Sequence, residues 1–132
     1  MNVLYFDHIT RRSARKHRRV LFVFGDNDAR SGYGGLAGEL RGEPNSAGIR
    51  VKKAPSMESN SFYTDDEYDE NVQKIKEDIA AIFHREEYHV MVLSTAGIGT
   101  GLAQLHYHAP RTAKFLDDIL KQHGISNGVK HK

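Results

Sequence analysis

The fold is decided by residues 20–40, whose sequence is VLFVFGDNDARSGYGGLAGEL. The first five residues are apolar, which predicts a strand buried on both faces, in the middle of a helix-covered sheet. A turn with four glycines follows, at positions 32, 34, 35 and 38, and residues 34–41 have the composition of a short helix. Glycine lets the backbone approach a ligand closely, and a helix start presents free N–H groups that suit phosphate. Taken alone, the stretch is equally consistent with a ligand site and with a plain strand-to-helix turn.

A second glycine loop late in the chain favours the ligand site. The apolar run VMVL at residues 90–93 predicts another buried strand, and it opens directly into STAGIGTG at residues 94–101. Ligands of open α/β sheets bind outside the carboxyl ends of the strands. Because both glycine loops follow apolar strands, we expect both at the same edge of the sheet, where they would suit a ligand that carries a diphosphate.

The rest of the chain alternates strand and helix patterns, which predicts an α/β fold. Thr10 is expected to cap a short helix, Thr64 and Glu67 form a capping-box signature for a long helix, and Pro110 suits the start of the last helix. The predicted strands are 3–6, 20–24, 47–52 (an edge strand) and 90–93, and the predicted helices are 34–41, 64–84 and 109–122, with a loop at 53–61.

Composition predicts one globular domain over residues 1–132. Hydrophobic residues make up 39% of the chain and charged residues 27%, which is ordinary for such a domain. No run is long and apolar enough for a membrane span, and the N-terminus lacks the pattern of a secretory signal. The absence of cysteine excludes disulfides and thiolate metal sites and fits a cytoplasmic location. The polar tail, residues 126–132, is expected to fray.

Residues 11–19, RRSARKHRR, form a basic block. It carries six positive charges in a chain whose net charge is +2, which leaves −4 for the remainder. The interpretation we favour is a solvated helix face between two strands. The alternative is a nucleic-acid-associated accessory protein that binds through residues 11–19, its glycine loops being structural.

Metal and cofactor motifs are not supported by the sequence. His106 and His108 have the spacing of two ligands on one face of a strand, with His84 and His89 nearby, but no carboxylate motif accompanies them, so surface histidines are favoured. The acidic residues 65–70 are explained more simply by a helix start. The first glycine loop matches neither the P-loop nor the Gly-x-Gly-x-x-Gly pattern. We therefore predict no metal and no cofactor.

The two glycine motifs together resemble the macro domain, the ADP-ribose-binding α/β/α module. Its first motif is an apolar strand ending in Asn and then a glycine run, as in VFGDN at 23–27 and GYGGLAG at 32–38. VLSTAGIG at 92–99 is similar to its second motif, and GTGLAQL at 99–105 is closest to the ADP-ribose glycohydrolase-like branch. The resemblance covers roughly residues 20–120 and implies a three-layer α/β/α sandwich with a mixed sheet.

The resemblance also implies a ligand, ADP-ribose or a related NAD-derived nucleotide. Asn27 would contact the ribose nearest the reacting carbon, the second loop would cradle the diphosphate, and Asp7 would meet the adenine, while the Tyr33 ring could cover the distal ribose. The ligand-binding residues implied in this way are Asp7, Asp26, Asn27, Gly32, Tyr33, Gly34, Gly35, Gly38, Ser94, Gly97, Ile98, Gly99, Thr100, Gly101 and Leu102.

Hydrolysis of ADP-ribosyl linkages is a further implication of the same branch. Asn27 would hold the ribose, Lys52 would aid the leaving group or the activation of the nucleophile, and Asp26 or Asp28 would position water. The acid that the branch carries after Gly-Leu is replaced by Ala103, and alanine cannot perform acid–base chemistry. Binding is therefore better supported by the sequence than catalysis.

Overall fold

The computed structural model describes residues 1–129 as a parallel sheet with helices around it. The strands are β1 (Asn2–Phe6), β2 (Leu21–Asn27), β3 (Ser46–Lys52) and β4 (Val90–Ser94), and the helices are α1 (Arg11–Lys16), α2 (Gly35–Leu40), α3 (Tyr68–Phe83), α4 (Leu105–His108) and α5 (Pro110–Gln122). The strand order is β1-β4-β2-β3, so β3 is an edge strand as predicted. The α/β class is confirmed. Within residues 1–129, no helix combines the length and the apolar character needed to cross a membrane.

The expectation of a mixed sheet is wrong. Every strand pair of the described sheet is parallel, and the antiparallel pairing in residues 1–129 is a single bridge between Lys52 and Phe62. Antiparallel neighbours are joined by short hairpins, whereas each connection between consecutive strands here is long and contains a helix. The chain therefore returns to the same end of the sheet before each strand begins.

Apolar side chains cover both faces of the sheet. Leu21 and Val23 of β2 belong to a core cluster with residues of α3 and α5, whereas Phe22 and Phe24 belong to a second cluster with residues of α1 and α2. Successive side chains of a strand point to opposite faces. The unbroken apolar run of β2 is explained by this two-sided burial.

One predicted helix cap is confirmed and the other is wrong. The Thr10 side chain accepts a hydrogen bond from the Ser13 amide and forms a capping box at the start of α1. Thr64 makes no such bond, because a 3-10 turn (Asp65–Glu67) precedes α3. Asp65 instead accepts hydrogen bonds from the amides of Arg111 (2.8 Å) and Thr112 (3.0 Å) and thus caps α5. The acidic cluster is explained in part by this cap.

The segment 126–129 is not frayed, contrary to the expectation for the tail. The Tyr5 hydroxyl donates to the Ser126 carbonyl at 2.7 Å, and the Val129 amide donates to the Thr95 carbonyl at 2.7 Å. These bonds tie the segment to β1 and to the second glycine loop. The remainder of the predicted tail, residues 130–132, lies outside the described residues.

Candidate functional site

Both glycine loops line one cavity of about 490 Å³. It lies at the carboxyl ends of β2, β3 and β4, where parallel strands place their outgoing loops. Its volume falls within the range of about 300–1,000 Å³ that is usual for small-molecule sites. Of the residues implied for the ligand, those that line this cavity are Asp26, Asn27, Gly32, Gly34, Gly35, Ser94, Gly97, Ile98, Gly99, Thr100, Gly101 and Leu102, and Lys52 lines it as well.

Asn27 presents an unsatisfied acceptor at this cavity. Its side chain is buried, with the residue 6% exposed, and its Nδ2 donates to the Ser31 carbonyl at 2.8 Å. Its Oδ1 is buried and has no hydrogen-bond partner among residues 1–129. A buried acceptor without a partner costs about 1–3 kcal/mol, so such an atom in a cavity wall favours a ligand that donates to it.

Lys52 lies next to Asn27 across the β2–β3 ladder, just beyond a register shift between Asp26 and Asn27. The residue is 7% exposed, and within residues 1–129 its ammonium has no carboxylate within ion-pair distance. Its Nζ instead lies 3.5 Å from the Met57 sulfur and 4.8 Å from the centre of the Phe62 ring. Burial lowers the pKa of Lys52 below its ordinary value of 10.5. This cation is available to an anion that enters the cavity.

Asp26 lines the cavity but is committed to the protein. Its carboxylate accepts from Arg41 (2.7 Å) and Arg30 (3.2 Å) and from the Asn27 amide (2.8 Å). Burial raises the pKa of Asp26, but these hydrogen bonds outweigh it and hold the pKa below its ordinary value. A carboxylate held in this way is a weak base, so the geometry supports a structural role for Asp26.

Asp28, the other carboxylate considered for positioning water, is outside the cavity lining. It accepts a hydrogen bond from the Tyr63 hydroxyl at 2.6 Å and pairs with Lys74 at 2.7 Å. These contacts join the end of β2 to α3. Neither aspartate therefore has the free carboxylate that activation of water would need.

Three of the residues implied for the ligand do not line the cavity. Asp7 follows β1, and β4 separates that strand from the first glycine loop. The Tyr33 side chain is 83% exposed. A Cβ on Gly38 would overlap the Tyr33 carbonyl, so the space at Gly38 is used by the protein's own backbone and not by a ligand.

One wall of the cavity was missed by the sequence analysis. Pro55, Ser56 and Met57 line it, and Met57 covers the Lys52 ammonium although its own side chain is half exposed. The segment returns towards β3, because the Lys53 amide donates to the Ser61 carbonyl at 2.8 Å. Its proline and serine content predicted a loop, and no residue pattern indicated that the loop would fold over the site.

Part of the basic block, residues 11–19, is engaged in ion pairs within the protein. Arg11, Arg15 and Arg18 all pair with Glu43, at 2.7, 3.3 and 2.9 Å, and the Glu43 side chain is only 6% exposed. Burial raises the pKa of Glu43, and the hydrogen bonds from Arg11 and Arg18 more than offset this and lower it. Half of the six cations thus anchor the turn between α2 and β3.

The histidine pair is not on a strand. His106 and His108 both lie in α4, where residues two apart point in different directions. His108 stacks on Phe62 with ring centres 4.0 Å apart, and His106 lies 3.9 Å from Asp117. Among residues 1–129, no group of three or more His, Cys, Asp or Glu side chains could hold a metal ion.

Comparison with known proteins assigns a family to the chain. Residues 4–119 match a family of unknown function (DUF7831). The chain belongs to this family. The matched span includes both glycine loops and Lys52, and it ends before the segment 126–129 that contacts the second loop. No curated protein and no solved structure matches the chain.

Proposed function

We propose that the protein binds ADP-ribose or a related NAD-derived nucleotide in the cavity between its two glycine loops, as a macro-domain-like α/β/α sandwich. The observation that supports this most is the shared cavity: two loops 60 residues apart in the sequence line one hollow of nucleotide size. Glycine loops at the ends of strands allow the backbone to approach a diphosphate closely. A cytoplasmic location is proposed with it, on the absence of cysteine.

The polar atoms of the cavity fit the two parts of such a ligand. In the described part of the chain, the Asn27 Oδ1 has no donor, and a ribose hydroxyl is a donor. The Lys52 ammonium has no carboxylate partner in the same residues, and a diphosphate supplies negative charge. The apolar part of the wall, which includes Val23, Phe24 and Leu36, suits the sugar and base faces of a nucleotide.

Hydrolysis of an ADP-ribosyl linkage is the finer part of the proposal, and it depends on Lys52. Water would attack the anomeric carbon of the ribose while the bond to the acceptor breaks and the acceptor takes a proton. Asp26 is engaged by two arginines, and Ala103 lines the cavity without a titratable group. Lys52, with its lowered pKa, is the side chain of the lining that could hold or release that proton.

Isothermal titration of the protein with ADP-ribose tests the binding proposal. We expect saturable 1:1 binding, weaker binding of ADP, and competition between the two. Lys52→Met and Asn27→Ala should both weaken ADP-ribose, whereas Lys114→Met, at an exposed lysine of α5 paired with Asp118, is a matched control that should not. Folded protein that releases no heat at millimolar ADP-ribose would remove the proposal.

A nucleic-acid surface on α1 is a second proposal, favoured by the cations that Glu43 does not use. Arg12, Lys16 and Arg19 are exposed and make no ion pair within residues 1–129. If all three side chains contact phosphates of duplex DNA, a plot of the logarithm of the binding constant against the logarithm of the salt concentration should have a slope of about −2.7. Replacing the three by Gln should abolish the slope. DNA binding that is unchanged in this triple variant would exclude this surface.

A further inference from the structure

The second glycine loop is held from outside by Asn127. The Ile98 amide donates to the Asn127 Oδ1 at 2.6 Å, and the Asn127 Nδ2 donates back to the Ile98 carbonyl at 3.0 Å. Both main-chain groups of Ile98, in the centre of the loop, are thus bonded to one side chain. The Asn127 Nδ2 also donates to the Asp117 Oδ1 of α5 at 2.9 Å, which fixes the amide plane against a helix.

The backbone of the loop closely approaches the segment that carries Asn127. A Cβ at Gly97 would lie 2.8 Å from the Asn127 carbonyl oxygen, and Gly97 has a φ of +89°, a conformation that favours glycine. The Val129 amide bonds the Thr95 carbonyl at 2.7 Å, so the contact continues on the other side of Gly97. The loop and the segment 126–129 therefore form one packed unit.

The residues that Asn127 contacts are part of the cavity wall. Gly97 and Ile98 line the cavity, and so do the next residues up to Leu102. The loop also bonds to itself, from the Gly97 amide to the Ser94 carbonyl (3.0 Å), from the Thr100 hydroxyl to the Gly97 carbonyl (3.3 Å) and from the Leu105 amide to the Gly99 carbonyl (2.9 Å). Asn127 adds the two bonds to the main chain of Ile98.

We propose that Asn127 is a positioning residue that holds the second glycine loop in its ligand-binding shape through Ile98, with Asp117 orienting the Asn127 amide. The positioning role itself is a property of the free protein, whereas the identity of the ligand rests on the proposed function. Asn127 touches no ligand itself. It acts by making the loop rigid before binding, which lowers the entropic cost of ordering it around a diphosphate.

Amide hydrogen exchange in the free protein tests the positioning role without any ligand. In Asn127→Ala, the hydrogen-bonded amides of Gly97 and Ile98 should exchange at least tenfold faster, while those of β2 and β4 keep their rates. The matched control is Asn71→Ala, which removes a buried amide that bonds Thr64 (2.9 Å) and Thr112 (3.1 Å), neither of which belongs to the loop. The control should lower stability and leave the loop amides unaffected relative to the rest. Unchanged exchange of the Gly97 and Ile98 amides in Asn127→Ala would overturn the proposal.

Ligand affinity separates positioning from a merely structural role. Asn127→Ala should bind ADP-ribose at least tenfold more weakly, mainly through faster dissociation, and Asn71→Ala should bind as the wild type does. Asn127→Asp places two carboxylates together and should bind weakly, and adding Asp117→Asn should restore part of the affinity because an amide again faces a carboxylate. An equal loss of affinity in Asn127→Ala and Asn71→Ala would contradict the positioning role of Asn127. So would a double variant that binds no better than Asn127→Asp alone. If the wild type does not bind ADP-ribose, the proposed function fails and hydrogen exchange still decides the role of Asn127.

Discussion

At the scale of single residues, the unpartnered Oδ1 of Asn27 is the most informative atom of the site. No group of the described residues, 1–129, donates to this buried oxygen, and the side-chain nitrogen of Asn27 donates to the Ser31 carbonyl. In Asn27→Ala both features are lost, so the net change in the free energy of unfolding should stay within about 1 kcal/mol. Affinity for ADP-ribose should fall about tenfold, which is about 1.4 kcal/mol. Urea titration and calorimetry on the same samples measure the two effects. An equal loss of stability and affinity would show that Asn27 is only structural.

Lys52 leads to the opposite expectation for stability. A buried ammonium without a carboxylate partner is costly, so Lys52→Met should leave the free energy of unfolding unchanged or raise it. Affinity for ADP-ribose should fall by about 1.5–3 kcal/mol, the usual contribution of a hydrogen bond to a charged group. Lys52→Arg keeps the charge and should retain part of the affinity. A variant that binds normally would exclude Lys52 from the site.

The pH dependence of that stability difference follows from the lowered pKa of Lys52. The unfolded chain keeps its proton up to about the ordinary pKa of 10.5, whereas the folded protein loses it at lower pH. Stability therefore rises with pH between the two pKa values, because the unfolded state binds more protons there. The advantage of Lys52→Met over the wild type should shrink as pH rises towards 10.5. Denaturation curves across the alkaline range measure it, and a pH-independent difference would contradict a buried charged lysine.

At the scale of elements, the first glycine loop is fixed by the hydrogen bonds and ion pairs of two arginines. Arg41 follows α2 and donates to the Asp26 carboxylate and to the Gly32 carbonyl (3.0 Å). Arg30, in the loop itself, has a φ of +52° and joins Asp26 to Asp78 of α3 at 2.6 Å. Arginine–aspartate ion pairs therefore fix the first loop, whereas the side-chain amide of Asn127 fixes the second loop.

Arg41→Ala should therefore destabilise the protein and loosen the first loop. Asp26 keeps Arg30 as a partner, so the cost should stay below roughly 3–5 kcal/mol, the usual cost of leaving a buried charge unpaired. In the wild type the contribution of Asp26 is present above its ordinary pKa of 3.8 and is lost as pH falls through the depressed pKa. Arg41→Ala should weaken this acid-dependent loss, and Arg41→Lys should recover little, because one ammonium cannot reach Asp26 and Gly32 together. Urea denaturation at neutral and at acid pH measures both effects, and an unchanged acid response would contradict the pairing.

The elements were predictable to different degrees, for physical reasons. Strands β2 and β4 each begin with an unbroken run of four apolar residues, and Thr10 has a serine three residues on, so local patterns sufficed. Thr64 has the sequence signature of a cap for α3. Its neighbour Asp65 instead accepts a hydrogen bond from the start of α5, 46 residues further along the chain. Sheet direction depends on how connections pack, which no local pattern records. The mixed sheet came from the resemblance and not from the residues.

At the scale of the whole molecule, charge is divided between anchoring and exposed cations. Arg11→Gln removes a bond to the buried Glu43 and should lower Tm by several degrees, because that carboxylate loses its shortest pair. Arg12→Gln, a neighbour that is exposed and makes no ion pair within residues 1–129, is the matched control and should leave Tm unchanged. Thermal unfolding measures both. Equal effects of the two variants would contradict the assignment of Arg11 to the fold.

Much of the candidate site was predictable, because the loops that line it follow apolar strands directly. The glycine positions of both loops and Lys52 lie where the strand pattern places them. Met57 and Asn127 were not predictable, since each reaches the site through a segment whose sequence indicates only a polar loop or tail. The engagement of Asp26 was not predictable, because no local pattern indicates that Arg30 and Arg41 would bond its carboxylate.

The proposed nucleotide site is best tested by the structure of a crystal grown with ADP-ribose. We predict the diphosphate between residues 97–101 and the first glycine loop, a ribose hydroxyl on the Asn27 Oδ1, and a ligand oxygen within hydrogen-bond distance of the Lys52 Nζ. ADP-ribose bound elsewhere, or an empty cavity at saturating ligand, would contradict it.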